Sequence, residues 1–243
     1  MLISVRIVAF LFTAPPFSYR SFPGSVRIIL AIGLALTIFS GVDQLPGELS
    51  TAGYIFALVT QAFTGVALGF LVYLVFAAMQ VAGGLIDQMG GFAMAQGFDP
   101  MNQVNAALIA RMFQMTSLAL LFASNAHLII LDGLFKTFDV VPLTLGQGSV
   151  AIGSVAQTAT TQLTTMFVAA LQIAGPLLVV LLLADIGLGL LTRVAPALNA
   201  FAMGFPLKIY LTLSLGSLIY LTFPAVVESL TGTSMRALFE GVS

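Results

Sequence analysis

Residues 53–86 read GYIFALVTQAFTGVALGFLVYLVFAAMQVAGGLI, thirty-four positions in a row without a charge. A hydrocarbon core about 30 Å thick is crossed by about 20 apolar helical residues at about 1.5 Å each, so this run is long enough for a membrane span. A membrane strand would need only about 10 residues alternating polar and apolar, and no such alternation is present. The run is therefore helical. Its length suits either one tilted helix or a tight pair of half-spans.

Working outward, further apolar runs occupy 1–19, 28–42, 106–131, 163–191 and 200–227. Across the chain 59% of residues are hydrophobic and 7% are charged, against about 25% charged in a soluble domain. Between the runs lie Ala14-Pro15-Pro16-Phe17 with Pro23-Gly24, then Asp43 to Ser50, Asp87 to Asn105, Asp139 to Gly153, and Arg193 to Asn199. Each holds Pro, Gly, Asn or Asp, the residues that set turns and end helices. The expected architecture is an all-α polytopic membrane protein of about six hydrophobic segments, residues 1–243 forming a single membrane domain.

If all six segments span, the side carrying Arg20, Arg27, Arg111, Arg193 and Lys208 is cytoplasmic by the positive-inside bias, and both termini lie outside. Met1 leads at once into Leu2-Ile3-Ser4-Val5-Arg6 without the pattern of a cleaved secretory signal, so the first segment reads as retained. A net charge of −1 with no Lys/Arg run argues against nucleic acid as a partner. With no Cys and one His, neither disulfides nor thiolate metal sites are expected, and no metal ion or cofactor is expected. No nucleophile with a base in reach and no paired carboxylates at matching depth can be assembled, so an enzyme is not expected.

Glycines recur inside the apolar runs. Gly65 and Gly69 have the small-xxx-small spacing that lets helices approach closely in lipid, within the chain or against neighbours. With Gly83, Gly84, Gly175, Pro176, Gly187, Gly189, Gly204 and Pro206, they also suit interrupted helices lining a cavity. Asp185 lies deep in an apolar run, with Arg193 two turns on, and charges at such depth must face protein or water. Pairing within the chain or with a partner subunit is the plainer reading, and ion coupling the sharper one. His127, at a segment edge, reads as hydrogen-bonded structure rather than a proton relay.

The most unusual connection runs from Asp87 to Met101. It includes Gln88, Met89, Gly90, Phe92, Met94, Phe98, Asp99, Pro100 and Met101, where a solvent loop would be mostly polar. Met fills irregular gaps and Gly lets a backbone fold back on itself. The segment is expected to be a deformable plug or gasket closing a pore; the plainer alternative is a re-entrant loop packed in the bundle.

Three blocks of sequence stand out together. The first is Arg6-x-x-Ala9-Phe10, Ala14-Pro15-Pro16-Phe17-Ser18 and Phe22-Pro23-x-x-Val26-Arg27. The second is Gln88-Met89-Gly90, Phe92 and Asp99-Pro100, leading to Asn125-x-His127-Leu128-Ile129. The third is Leu183-x-Asp185-x-Gly187-Leu188-Gly189, then Arg193-x-Ala195-Pro196-x-Leu198-Asn199 and Gly204-Phe205-Pro206-Leu207-Lys208. From residue 6 to 208, in family order, these blocks resemble the FliR family of flagellar and virulence type III export gates. Departures lie at the start, where the family has a longer first segment, and at Ala126, where many members carry a polar residue.

The resemblance implies a gate of FliR-like, FliP-like and FliQ-like subunits wound around a passage for unfolded flagellar proteins. The machine would sit in the bacterial inner membrane at the flagellum basal body. It implies a FliP-like half at about 1–135 with a plug loop at 87–105, and a FliQ-like hairpin half at about 160–243. In that picture the helices are hairpins partly lifted from the bilayer. Asp185, Arg193, Pro196, Asn199, Phe205, Pro206 and Lys208 would serve subunit assembly, with the Arg193 to Lys208 turn toward the cytoplasm and an FlhB-like subunit. Alternatives are a virulence secretion homologue, or a small secondary transporter using Asp185, Arg193 or Asp132. A transporter would show an internal inverted repeat, and only a faint echo links Ala14-Pro15 and Phe22-Pro23 with Ala195-Pro196 and Phe205-Pro206.

Overall fold

A computed structural model of the chain describes residues 1–19, 22–39, 50–92, 107–141, 143, 152–195 and 200–242. Among them are seven α-helices and no strand. In chain order they are α1 (Leu2–Thr13), α2 (Gly24–Phe39), α3 (Thr51–Met89), α4 (Leu108–Ala123), α5 (Ala126–Val140), α6 (Ile152–Val194) and α7 (Ala200–Val242).

All six apolar segments are helical, as expected; their lengths differ from a uniform set of spans. The 53–86 run lies in one unbroken 39-residue helix, which settles the choice between one helix and two half-spans. The 106–131 segment, expected to be continuous, divides at Ser124-Asn125 into α4 and α5, which bend by 75° at the break. Asn125 takes the left-handed conformation, φ 58°, that Asn tolerates better than most residues. Among the described residues only α3, α6 and α7 are long and apolar enough to cross a membrane, with the bent α4–α5 pair a fourth candidate. The 12 residues of α1 extend about 18 Å and the 16 of α2 about 24 Å, short of a core about 30 Å thick. Among the described residues three helices, or four with the bent pair, reach that length, fewer than the six spans on which the side assignment depends.

Helix α6 runs through Gly175-Pro176, and α7 through Pro206 and Pro224. Proline costs a helix one backbone bond, which neighbouring groups can re-satisfy in membrane proteins. These glycines and prolines therefore do not break the helices into half-spans.

The chain divides into two compact units. The first comprises 1–75, 121–164 and 228–243; the second comprises 76–120 and 165–227. The halves read from the sequence are divisions along the chain, whereas these units are interleaved in it.

In the first unit α1 lies directly on the first half of α3. A Cβ on Gly65 would strike the Arg6 carbonyl oxygen and stand 2.8 Å from the Ala9 Cβ; one on Gly69 would stand 2.7 Å from the Thr13 Cβ. The small-xxx-small spacing is thus used for close approach inside this chain. At Gly84, Gly175, Gly187 and Gly189 an added Cβ meets nothing within 4 Å.

Arg6 closes the same contact. Its side chain is fully buried, and it donates from Nε to Gln61 Oε1 at 2.6 Å, from Nη1 to the Thr137 carbonyl at 3.0 Å, and from Nη2 to the Val141 carbonyl at 2.9 Å. The guanidinium also lies over the Phe138 ring, 4.3 Å from its centroid. Gln61 in turn donates to the Leu143 carbonyl at 3.2 Å. One side chain thus ties α1, α3 and the end of α5 together. Helix α2 is almost bare of internal cover: Ala31 is its buried residue, while Ile29 and Leu36 are each 70% exposed. In the second unit Phe113 of α4 meets Tyr220 and Phe223 of α7 edge-on, with ring centroids 5.5 and 4.7 Å apart.

Candidate functional site

Two groups of residues singled out in the sequence lie in the second unit. The first is the end of α3. Gln88 is exposed, Met89 and Phe92 are half-buried and Gly90 is buried. Gly90 leaves no room for a side chain, since a Cβ there would stand 2.7 Å from Thr212 Oγ1 of α7. Gly91 has φ +84°, a conformation glycine enters at no steric cost, and its Cα faces the Phe205 ring. The helix thus stops where it meets the first turns of α7, which brings part of the loop block together with Phe205 of the third block. Met94, Phe98, Asp99, Pro100 and Met101 lie outside the described residues.

Immediately before this turn stands Asp87, only 4% exposed. Its two carboxylate oxygens accept the backbone N–H groups of Ile109 and Ala110, each at 2.9 Å. These are donors of the first turn of α4, which has no intrahelical acceptor for them. The local cap position is held by Ala107, whose side chain has no oxygen to offer, and a carboxylate 20 residues earlier serves instead. The negative charge also suits the positive end of the α4 dipole. Gly83, one turn back on α3, lets the Ala110 backbone come close, with the Ala110 nitrogen 2.7 Å from where a Cβ would be. Asp87 opens the segment expected to close a pore, but no role of its own was expected for it. No local rule finds it, because its partners are 22 and 23 residues away.

The second group joins α6 and α7. Lys208 Nζ lies 2.6 Å from Asp185 Oδ1 and donates to Oδ2 at 2.8 Å. Gly204 faces Leu188, with 3.3 Å between an added Cβ and the Leu188 Cδ1. Residue 188 is matched with 204 and 185 with 208, the reversed order of an antiparallel hairpin. The acid of this apolar run is therefore paired within the chain, and its partner is Lys208. Arg193 is exposed and forms no ion pair among the described residues. Phe205 is half-buried and Pro206 exposed, while Pro196 and Asn199 lie outside the described residues.

The Lys208 and Asp185 side chains retain 20% and 39% of their exposure, so the pair is partly screened. A double-mutant cycle of Asp185→Asn and Lys208→Gln, read as thermal stability in detergent, should give a coupling of about 1 kcal/mol. Strict additivity of the two losses would show that the pair contributes nothing.

Of the other candidates, Asp132 pairs with Lys136 one turn on at 2.7 Å, both more than half exposed. His127 packs against Phe122 with ring centroids 5.0 Å apart, and its buried Nδ1 has no hydrogen-bond partner. Among the described residues no three His, Asp or Glu side chains converge to hold a metal ion.

Comparison with known proteins places these features in a family. The model of the bacterial export proteins, family 1, matches residues 1–234. The chain is 36% identical over 216 residues to the flagellar biosynthetic protein FliR of Escherichia coli (strain K12), covering 87% of this chain and 80% of that protein. It is 32% identical over 209 residues to the FliR of Bacillus subtilis (strain 168), covering 86% and 81%. Similarity extends to the surface presentation of antigens protein SpaR of Shigella flexneri, 28% identical over 207 residues, covering 84% and 77%. The apolar helices, the matched blocks and this coverage agree, and the chain belongs to the bacterial export proteins, family 1.

Proposed function

We propose that this chain is the FliR-type subunit of a flagellar type III protein-export gate, assembled with FliP-like and FliQ-like subunits in the bacterial inner membrane at the flagellum basal body. The observation that carries the reading is the bareness of α6 and α7 in a chain that matches an export family along almost its whole length. In the most apolar window of α3, 67% is buried inside the chain; the figures are 28% for α6 and 17% for α7. Phe167, Leu171, Leu183, Leu190, Leu213 and Leu221 are all more than half exposed. Surfaces of this kind need lipid or neighbouring subunits to cover them. Unfolded protein substrates would pass through the assembly, not through this chain alone. The subunit would carry no cofactor and perform no catalysis.

Within that gate, about 1–135 corresponds to the FliP-like half and about 160–243 to the FliQ-like hairpin, a reading supported by the reversed pairing of α6 with α7. The assembly residues are Asp185, Arg193, Pro196, Asn199, Phe205, Pro206 and Lys208, and the α6–α7 turn meets the FlhB-like subunit. The loop 87–105 closes the passage. Purification of the tagged chain from its native host in mild detergent is expected to bring down FliP and FliQ homologues; their absence would argue strongly against the gate. Deleting 92–98 should raise ion leak in cells that still assemble the complex, whereas an unchanged leak would refute closure by this loop.

Likeness to SpaR keeps a virulence secretion gate as the second reading. The greater identity to the two FliR proteins favours the flagellar one. Disrupting the gene separates them: loss of motility supports the first, and loss of effector secretion with motility intact supports the second.

A further inference from the structure

We infer that Asp87 is a positioning residue of the export gate, holding the end of α3 to the start of α4 so that export proceeds without these helices parting. The inference rests on the export reading above.

Two independent features on one face of α3 are aimed at the same short stretch of α4. Asp87 supplies both carboxylate oxygens to Ile109 and Ala110, and Gly83, four residues earlier, removes the side chain that would keep Ala110 away. Residues four apart on a helix lie one above the other, so the two act on one line of contact. A buried carboxylate is costly unless its charge is met by donors, and here both oxygens are met by backbone groups. An apolar residue would fill the same space at less cost in desolvation, but it could not satisfy the two orphan donors of α4. The charge therefore has a specific structural return: it joins two helix ends across a connection of about 20 residues. A carboxylate serving as an ion or proton carrier would instead need an oxygen free to exchange its partner, and both oxygens of Asp87 are engaged.

The test uses the full chain expressed in a host strain whose own copy of the gene is deleted. The readouts are export of flagellar protein to the medium and co-purification of the assembled gate. Asp87→Ala removes both contacts and should shift the ratio of joined to parted helix ends by about a hundredfold, bringing export to background. Asp87→Asn keeps one acceptor and should shift it by about tenfold, leaving partial export. Because the chain has no Cys, Asp87→Cys combined with Ile109→Cys introduces a single pair to be bridged by oxidation or by a short thiol cross-linker. If Asp87 acts by position, the bridged pair should export while Asp87→Cys alone does not.

Wild-type export by Asp87→Ala would overturn the inference. So would a bridged pair that fails as Asp87→Cys fails, since the carboxylate itself would then be required. Export by the reduced pair that stops on bridging would also overturn it, because the helices would then have to part. If Asp87→Ala does not assemble, the Asn variant and the bridged pair decide the matter alone. Failure of the unaltered chain to restore export to the deletion strain would instead sink the export reading, and the inference with it.

Discussion

A Gly65→Leu protein is expected to lose about 3 kcal/mol of stability, with its N-terminal helix no longer seated on α3. The obstacle is backbone, not a yielding side chain: a Cβ at 65 would strike the Arg6 carbonyl oxygen and crowd the Ala9 Cβ at 2.8 Å. A flexible neighbour could rotate away, but a helix carbonyl moves only if α1 moves. Displacing α1 would also withdraw Arg6 from Gln61, Thr137 and Val141. The check is thiol labelling of Ile7→Cys, a position with no exposure in the folded protein, in a chain that has no other Cys. Labelling should become fast in the Gly65→Leu background and stay slow with Gly84→Leu, where an added Cβ meets nothing within 4 Å. Equal labelling in both backgrounds would show that the close approach of α1 and α3 does not matter.

Replacing Arg6 by Met should cost about 2–3 kcal/mol, the scale for leaving buried neutral acceptors without their charged donor. The guanidinium has no carboxylate partner among the described residues. Its donors go to Gln61 Oε1 and to carbonyls at the end of α5, where the helix dipole is negative, and its face lies on Phe138. Removing it takes the donor from Gln61 Oε1 and from the Val141 carbonyl, each at about 1–3 kcal/mol, while the Thr137 carbonyl keeps the Val141 N–H. Arg6→Lys keeps the charge but lacks the planar fork that reaches both α3 and α5, so it should fall between wild type and Met. Thermal unfolding in detergent measures the order Arg, Lys, Met. Because the network is buried, the Met loss should hardly change with ionic strength. A Met variant as stable as wild type would mean that water reaches those carbonyls.

Much of the fold follows from patterns within single segments. Apolar length marked α3, α6 and α7, of whose runs only the one in α3 is free of charge, and the spacing of Gly65 and Gly69 marked a close helix contact. The bend at Ser124-Asn125 was less visible, because the turn depends on one left-handed residue inside an otherwise apolar run. Arg6 stood in the sequence only as part of a signature, and nothing nearby indicates that it is buried. The Asp185 region suggested a pairing, but the choice of Lys208 over Arg193 depends on the way α6 and α7 come together.

By itself the sequence determined the solvent and the secondary structure: chain-wide scarcity of charge requires lipid or sister subunits, and unbroken apolar runs satisfy their backbone only as helices. Only the tertiary structure decided which polar groups meet. Arg6 finds its carbonyls more than 130 residues away, and Asp87 caps a helix that begins about 20 residues later. The physical reason is range: a helix is satisfied by neighbours four residues apart, whereas a buried charge must be met by whatever donors or acceptors the folded chain brings beside it.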